Sequence, residues 1–313
     1  MNRFYKDVVR GLSADAKYLD SKYFYDKEGD KLFTEIMACP EYYPTRCEME
    51  IFSQQSTAIS RLFKQYGEEL ELVELGAGDA TKSIHLLRSL VEDRVNFTYY
   101  PIDISSNVIK QLEDKLPLAL PGLQVKGLNG EYFEMLKQLG NTPGKRKVVL
   151  FLGSNIGNIP SDGVNAFCKE LRRYLNKGDL AFIGFDLKKD PRTILAAYND
   201  KGGITRRFNL NLLHRINNEL GADFDLSGFE HYPVYDPGTG TCKSYLVSLA
   251  EQRVCVGDTE CFDFKEGEPI HTEISQKYAV AQTDELAAAT GFKPVKHLFD
   301  SRHWFLDAVW ECV

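Results

Sequence analysis

Between residues 70 and 186, apolar runs alternate with amphipathic segments, and no other feature limits the fold of this chain as tightly. Residues 70–75 read as a strand, 81–90 as a helix, 97–103 as a strand, and 106–116 as a helix opened by a serine cap. Residues 123–128 read as a third strand. The runs KVVLFL (147–152) and LAFIGF (180–185), with a helix over 163–175 between them, are apolar almost throughout. Such runs belong in strands covered on both faces. Strand and helix in turn predict a parallel sheet with helices on both sides.

The first of these strands ends in LVELGAGDAT (72–81), and Asp103 stands at the tip of the next, in TYYPIDI. Glycine lets the backbone pass close to a ligand, because it lacks a Cβ and tolerates unusual φ. An acid on the neighbouring strand can accept both hydroxyls of a ribose. A dinucleotide site would want a small residue three positions after Gly78, to pack helix on strand. That position is Thr81, so nothing favours a pyrophosphate. Glu74, two residues before Gly76, suits instead a ligand with a cationic amino-acid end and a nucleoside end, such as S-adenosylmethionine. The competing reading of Gly-x-Gly is a tight strand-to-helix turn.

At 313 residues the chain can form one large domain or two ordinary ones. A net charge of -7 with dispersed basic residues argues against a nucleic-acid partner. The one dense basic tract, GKRK at 144–147, reads as a solvated loop. Seven cysteines form no Cys-x-x-Cys and no metal-ligand spacing with histidine, so no metal is expected. Their odd number suits reduced thiols in the cytoplasm. No apolar stretch is long enough to span a bilayer, and MNRFYKDVVRGL carries charges where a signal peptide needs an apolar core. No membrane partner is expected, and the protein is read as a monomer acting on a small amino-acid substrate.

The first 46 residues read as mainly helical, ending in CPEYYPTR, where Pro40 and Pro44 bracket a rigid turn. A helix follows over 47–66. After Asp186 the alternation breaks. Residues 193–198 and 209–220 look helical, whereas 232–235, 244–250 and 253–256 look like strands of a separate antiparallel patch. A helix from Thr283 leads into Gly291, and strands over 295–300 and 304–311 make a terminal hairpin. The expected class is α/β: a Rossmann-like methyltransferase domain, a doubly wound sheet ending in an antiparallel hairpin, with a second α+β substrate-binding domain. The first domain is assigned to 47–187 and 277–313, the second to 1–46 and 188–276. A ligand cleft is expected where the second meets the carboxyl edge of the sheet.

Several phrases then converge. SKYFYDKEGDKLF (21–33), PEYYPTR (40–46), the loop at 72–81, LFLGSNIGN (150–158), NNELGADFD (217–225) and HTEISQKY (271–278) together resemble the histidine-specific Nα-methyltransferase family. That family includes the enzyme that trimethylates histidine at the start of ergothioneine synthesis. The resemblance runs from about residue 5 to the C-terminus, and it implies S-adenosylmethionine as cofactor.

The resemblance also implies roles for particular residues. Glu74, Gly76, Gly78 and Lys82 match the loop around the methionine end of the cofactor, and Asp103 the ribose-binding acid. Glu131 and Tyr132 match an acid–aromatic pair beside the adenine. For the substrate, Gly153 and Asn158 match the loop that holds the amino acid's α-amino and carboxylate groups, and Tyr198 a carboxylate-binding tyrosine. Tyr25 and Tyr42 match tyrosines near the amine and the side-chain end. Glu273 and Ser275, two apart on an expected strand, point to one face and can take both imidazole nitrogens. Tyr25 acting through a water and Asn158 orienting the amine lone pair are the candidate catalytic groups. Each has a plainer alternative: core tyrosines, a turn asparagine, or a surface Glu–Ser pair. Two positions depart from the family pattern. Asn155 stands where threonine is common, and Ser244 where the bacterial histidine enzyme has methionine beside the imidazole. Another amino-acid substrate such as tryptophan, a nicotinamide oxidoreductase on a similar sheet, and a non-catalytic amino-acid or nucleoside-binding protein are the alternatives.

Overall fold

A computed structural model describes residues 3–257 and 260–313. It divides the chain into two compact units, Pro44–Lys188 with Gln276–Val313, and Met1–Tyr43 with Lys189–Ser275.

The first unit is built on a sheet that has eight strands among the described residues. Its order is Phe292–Phe299, Phe305–Cys312, Leu180–Asp186, Arg146–Phe151, Glu69–Leu75, Asn96–Asp103 and Gln124–Val125, with Leu128–Asn129 also on Asn96–Asp103. The five strand pairings between Leu180–Asp186 and the Asn96–Asp103 edge are parallel, whereas Phe305–Cys312 runs antiparallel to both its neighbours. All seven residues of Leu180–Asp186 are buried, as the unbroken apolar run requires of a strand covered on both faces. A core of Val73, Leu75, Val149, Phe151, Phe185 and Trp310 fills one side.

The expected third strand over 123–128 is in fact two pieces, Gln124–Val125 and Leu128–Asn129. The break falls at Gly127, where a Cβ would sit 2.3 Å from Ile109 Cγ2 and where Glu113 Oε1 accepts the amide N–H at 2.8 Å. The helix Ser106–Ala119 thus presses on the sheet edge and takes a ladder donor for itself. The helix expected from Cys47 begins earlier, at Tyr43. Pro44 falls in its first turn, where its missing N–H leaves no intrahelical bond unmade. Tyr132–Leu139 is a further helix that the periodicity did not announce.

The second unit wraps the helix Ile204–Leu220, whose residues Phe208 through Leu213 are all buried. Around it lie the helices Arg3–Leu12 and Lys27–Ala38 and a three-stranded sheet. The strands of that sheet are Phe229–Asp236, Thr241–Ser248 and Pro269–Gln276. Phe4, Val8, Leu32, Phe208, Leu212, Phe229, Leu246 and Ile270 form its core. The central helix starts five residues before the position expected from periodicity. Asp200 caps it by accepting from the N–H groups of Ile204 (2.8 Å) and Thr205 (2.7 Å).

The strands Gln252–Val256 and Glu260–Phe264 make a separate hairpin in which Cys255 and Cys261 stand directly opposite. They form a disulfide, which corrects the expectation of reduced thiols throughout. Spacing concealed it because the pair is created by strand register, not by a recognisable motif. The other five cysteines are buried. Among the described residues, no helix is long and apolar enough to cross a membrane.

Candidate functional site

In the sheet-bearing unit, the candidate cofactor residues collect at the carboxyl ends of the parallel strands. The chain leaves Glu69–Leu75 through Gly76 (φ +71°) and Gly78 (φ +53°), both in the left-handed region. A Cβ on Gly76 would lie 2.7 Å from Tyr132 Oη, while above Gly78 there is open space. The amides of Gly76 and Ala77 donate to the Ile102 carbonyl at 2.8 and 3.3 Å, which ties this loop to the next strand. Asp103 accepts from Gly78 N–H at 3.3 Å and from Ser105 N–H at 2.9 Å. Its carboxylate is therefore held at the strand tip by main-chain donors, with lone pairs left for a diol.

Glu74 is fully buried at the base of the loop, not on its surface. Its carboxyl accepts from Tyr99 Oη at 2.6 Å and Ser83 Oγ at 3.0 Å, joining two strands and the following helix. Burial outweighs those two bonds and pushes its pKa up to about 7. Tyr132 opens its helix beside Phe151, with ring centroids 6.0 Å apart. Burial, followed by the Asp103 and Glu131 carboxylates, pushes its phenol up to about 12, so it stays neutral. Glu131 is exposed at the N-terminus of that helix. Ile104, directly after Asp103, is 66% exposed and presents an apolar surface beside that carboxylate.

The loop after Arg146–Phe151 lies against the first. Gly153 adopts φ +74° and Ser154 φ 57°, and Asn155–Asn158 forms a short 3-10 turn. A Cβ at Gly153 would be 3.6 Å from both Lys82 Nζ and Asn155 Nδ2, and one at Gly76 would be 3.9 Å from that same amide nitrogen. Asn155 thus stands between the two glycine turns. Asn158 ends its turn with an exposed side chain.

Sequence reasoning missed Glu48. It is wholly buried on Tyr43–Lys64, accepts from Gly153 N–H at 2.7 Å, and pairs with Lys82. An acid inside the buried stripe of Cys47, Ile51 and Phe52 was the available signal.

In the second unit, aromatic rings make a continuous series. Tyr25, 44% exposed, meets Phe33 (5.6 Å) and Phe208 (5.9 Å) edge-on. Phe33 meets Tyr42 at 6.4 Å, and Tyr42 meets Tyr198 at 6.5 Å. Tyr198 Oη donates to Ser275 Oγ at 2.8 Å. Glu273 is two residues away on the same strand, half-buried. The fold therefore brings Tyr25, Tyr42, Tyr198 and Ser275 into one series, with Glu273 beside its end. Ser244 is buried on Thr241–Ser248, in alternation with Cys242 and Leu246. Its carbonyl accepts from Thr272 Oγ1 at 3.1 Å, and its own hydroxyl makes no hydrogen bond.

The model of a family described as histidine-specific, S-adenosylmethionine-dependent methyltransferases matches residues 4–312. The chain is 33% identical to the histidine N-alpha-methyltransferase of Mycobacterium tuberculosis, over 93% of this chain and 89% of that one. It is also 33% identical to the enzyme of the same name from Mycolicibacterium smegmatis, over 96% and 90%. Ergothioneine biosynthesis protein 1 of Schizosaccharomyces pombe is 28% identical over 88% of this chain, which spans 36% of that larger protein. A doubly wound sheet with a terminal hairpin, a glycine turn facing an acid, and a match over nearly the whole length agree: this chain belongs to the histidine-specific, S-adenosylmethionine-dependent methyltransferase family.

Proposed function

We propose that this protein methylates the α-amino group of L-histidine, in successive rounds that end at the trimethylated betaine used in ergothioneine synthesis. The observation that carries this reading is the family match over residues 4–312. In the second unit, a Tyr198–Ser275 bond beside Glu273 supports it.

The first unit fits the cofactor. Open space over Gly78, main-chain donors on Asp103 and an exposed Ile104 make a cradle for a ribose and its base. Glu131 and Tyr132 would lie along the adenine, and Lys82 at the amino-acid end. Gly76 keeps that end open, since any side chain there would meet Tyr132. When bound, S-adenosylmethionine supplies the electrophilic methyl group.

The chain's own residues do the rest by holding and orienting. Glu273 and Ser275 suit the two imidazole nitrogens, one as acceptor and one as either partner. Asn158 can accept from the ammonium and donate to the carboxylate of the amino acid, next to Gly153. An α-amino group titrates near pH 8, so the substrate must be bound, or made, with a free lone pair. Tyr25, through a water, and Asn158 are the groups assigned to that orientation. Each methyl added makes the nitrogen a more lasting cation, and the faces of Tyr25 and Tyr42 tolerate such charge without a counter-ion.

Mass spectrometry of L-histidine incubated with the protein and S-adenosylmethionine, in competition with tryptophan and other amino acids, tests the reading. Three added methyl groups on histidine alone are expected. Modification of another amino acid instead would overturn the substrate and point to Asn155 and Ser244 as the reason. No product from any amino acid would favour a binding protein.

A further inference from the structure

The strand Phe305–Cys312 carries two acids, and the structure gives the inner one, Asp307, no hydrogen bond. Asp307 is fully buried, and neither carboxyl oxygen has a partner. It stands opposite Gly184 in the antiparallel ladder. A Cβ at Gly184 would lie 2.5 Å from Glu48 Oε1 and 3.2 Å from Asp307 Oδ1, so this glycine is what leaves room for two carboxyls together. Lys82 is the cation that faces them, paired with Glu48. Glu74 also acts on Lys82, from its own strand, but its oxygens are taken by Tyr99 and Ser83.

One lysine cannot neutralise two buried carboxylates, and an unpaired buried charge is strongly disfavoured. Like charges this close share a proton. Glu48 accepts from both Lys82 and the Gly153 amide, so it is the ionised member, and the proton belongs on Asp307.

We infer that Glu48 and Asp307 form a one-proton carboxyl pair that holds Lys82 charged and in place for the carboxylate of the cofactor, with Glu48 as a positioning residue for both the 76–82 loop and the 153–158 loop. Burial, then the Glu48 carboxylate, raises the Asp307 pKa, and Lys82 opposes this only in part. Burial works against the charge on Lys82, but Glu48, by its charge and its hydrogen bond, raises its pKa overall. This inference rests on the cofactor reading above. It adds a residue from a distant helix and one from the terminal hairpin, neither of which was expected in the site.

Infrared spectroscopy of the full chain at about pH 9 tests it, because Glu74, with its pKa near 7, is then ionised. The wild type should show the carbonyl band of a protonated buried carboxyl, and Asp307→Asn should lack it. Glu48→Gln should lack it too, although Asp307 is intact, because Lys82 then draws the proton off its remaining partner. A structural role alone would not produce that second loss. In parallel, calorimetric titration with S-adenosylhomocysteine should show Glu48→Gln binding at least about tenfold more weakly, the scale of one charge-assisted hydrogen bond. A band that survives Asp307→Asn, or persists in Glu48→Gln, would overturn the shared proton. Equal affinity in wild type and Glu48→Gln would overturn the positioning role while leaving the cofactor reading intact. A wild type that binds no S-adenosylhomocysteine would remove the cofactor reading and this role with it. The Asp307→Asn comparison stands even if Glu48→Gln does not fold, since the amide keeps the shape of the protonated acid.

Discussion

The sheet-bearing unit arranges its candidate residues with main chain, and the other unit arranges them with rings. Gly76, Gly78, Asp103 and Gly153 are positioned by φ values and amide hydrogen bonds at strand ends. Tyr25, Tyr42, Tyr198 and Ser275 are positioned by edge contacts between aromatics and one hydroxyl pair. A backbone cradle tolerates few substitutions at its glycines, whereas a ring series should change by degrees as side chains are trimmed. The first kind suits a ligand common to a whole family, and the second a substrate that differs between members.

Breaking the backbone side should give the largest effect. Gly76→Val places a β-branched residue at φ +71° and sends its side chain into Tyr132. Strain of about 1–3 kcal/mol is expected, together with loss of measurable S-adenosylhomocysteine binding in a titration. Undiminished affinity would mean that the turn is not a ligand cradle.

Glu74 sharpens the contrast through pH. Its folded-state pKa lies near 7 against an ordinary 4.5, so between these values the folded chain keeps a proton that the unfolded chain has lost. Stability attributable to this group is therefore full below about pH 4.5 and falls as pH rises through 7, by on the order of 3 kcal/mol at most. Denaturant unfolding of Glu74→Gln and wild type should show their difference shifting in favour of the variant across that window. A pH-independent difference would show that Glu74 is ionised throughout.

On the ring side, Glu273→Ala should weaken histidine binding by about 2 kcal/mol, the scale of a hydrogen bond to a charged group, and leave S-adenosylhomocysteine affinity nearly unchanged. Equal losses for both ligands would erase the proposed division of labour. Tyr198→Phe keeps the ring contact with Tyr42 and removes the bond to Ser275. About 1 kcal/mol of histidine affinity should go with it. A larger loss would make that hydroxyl a ligand in its own right.

The sheet was legible because burial on both faces writes itself into residues 147–152 and 180–185 as uninterrupted apolar runs. The glycine turn facing Asp103 was legible because its parts lie within a few residues of each strand end. The split edge strand was not, since Gly127 yields to a helix that packs on it from above. The helix Tyr132–Leu139 is short, with Leu136 its one buried residue, and so carried little pattern. The Cys255–Cys261 bond was hidden for a related reason: register across a hairpin joins the two residues.

By itself, then, the sequence determined the strand–helix alternation, the glycine turn facing Asp103, and the family, because each of these is written in local order. Only the tertiary structure decided that Glu74 turns inward, that Glu48 bridges Lys82 and Gly153, and that Asp307 lies unpartnered beside Gly184. Those outcomes depend on which charges share a dry interior. That is settled by packing between segments as far apart in the chain as Glu48 and Asp307, where the energy of a buried charge depends on every neighbour at once.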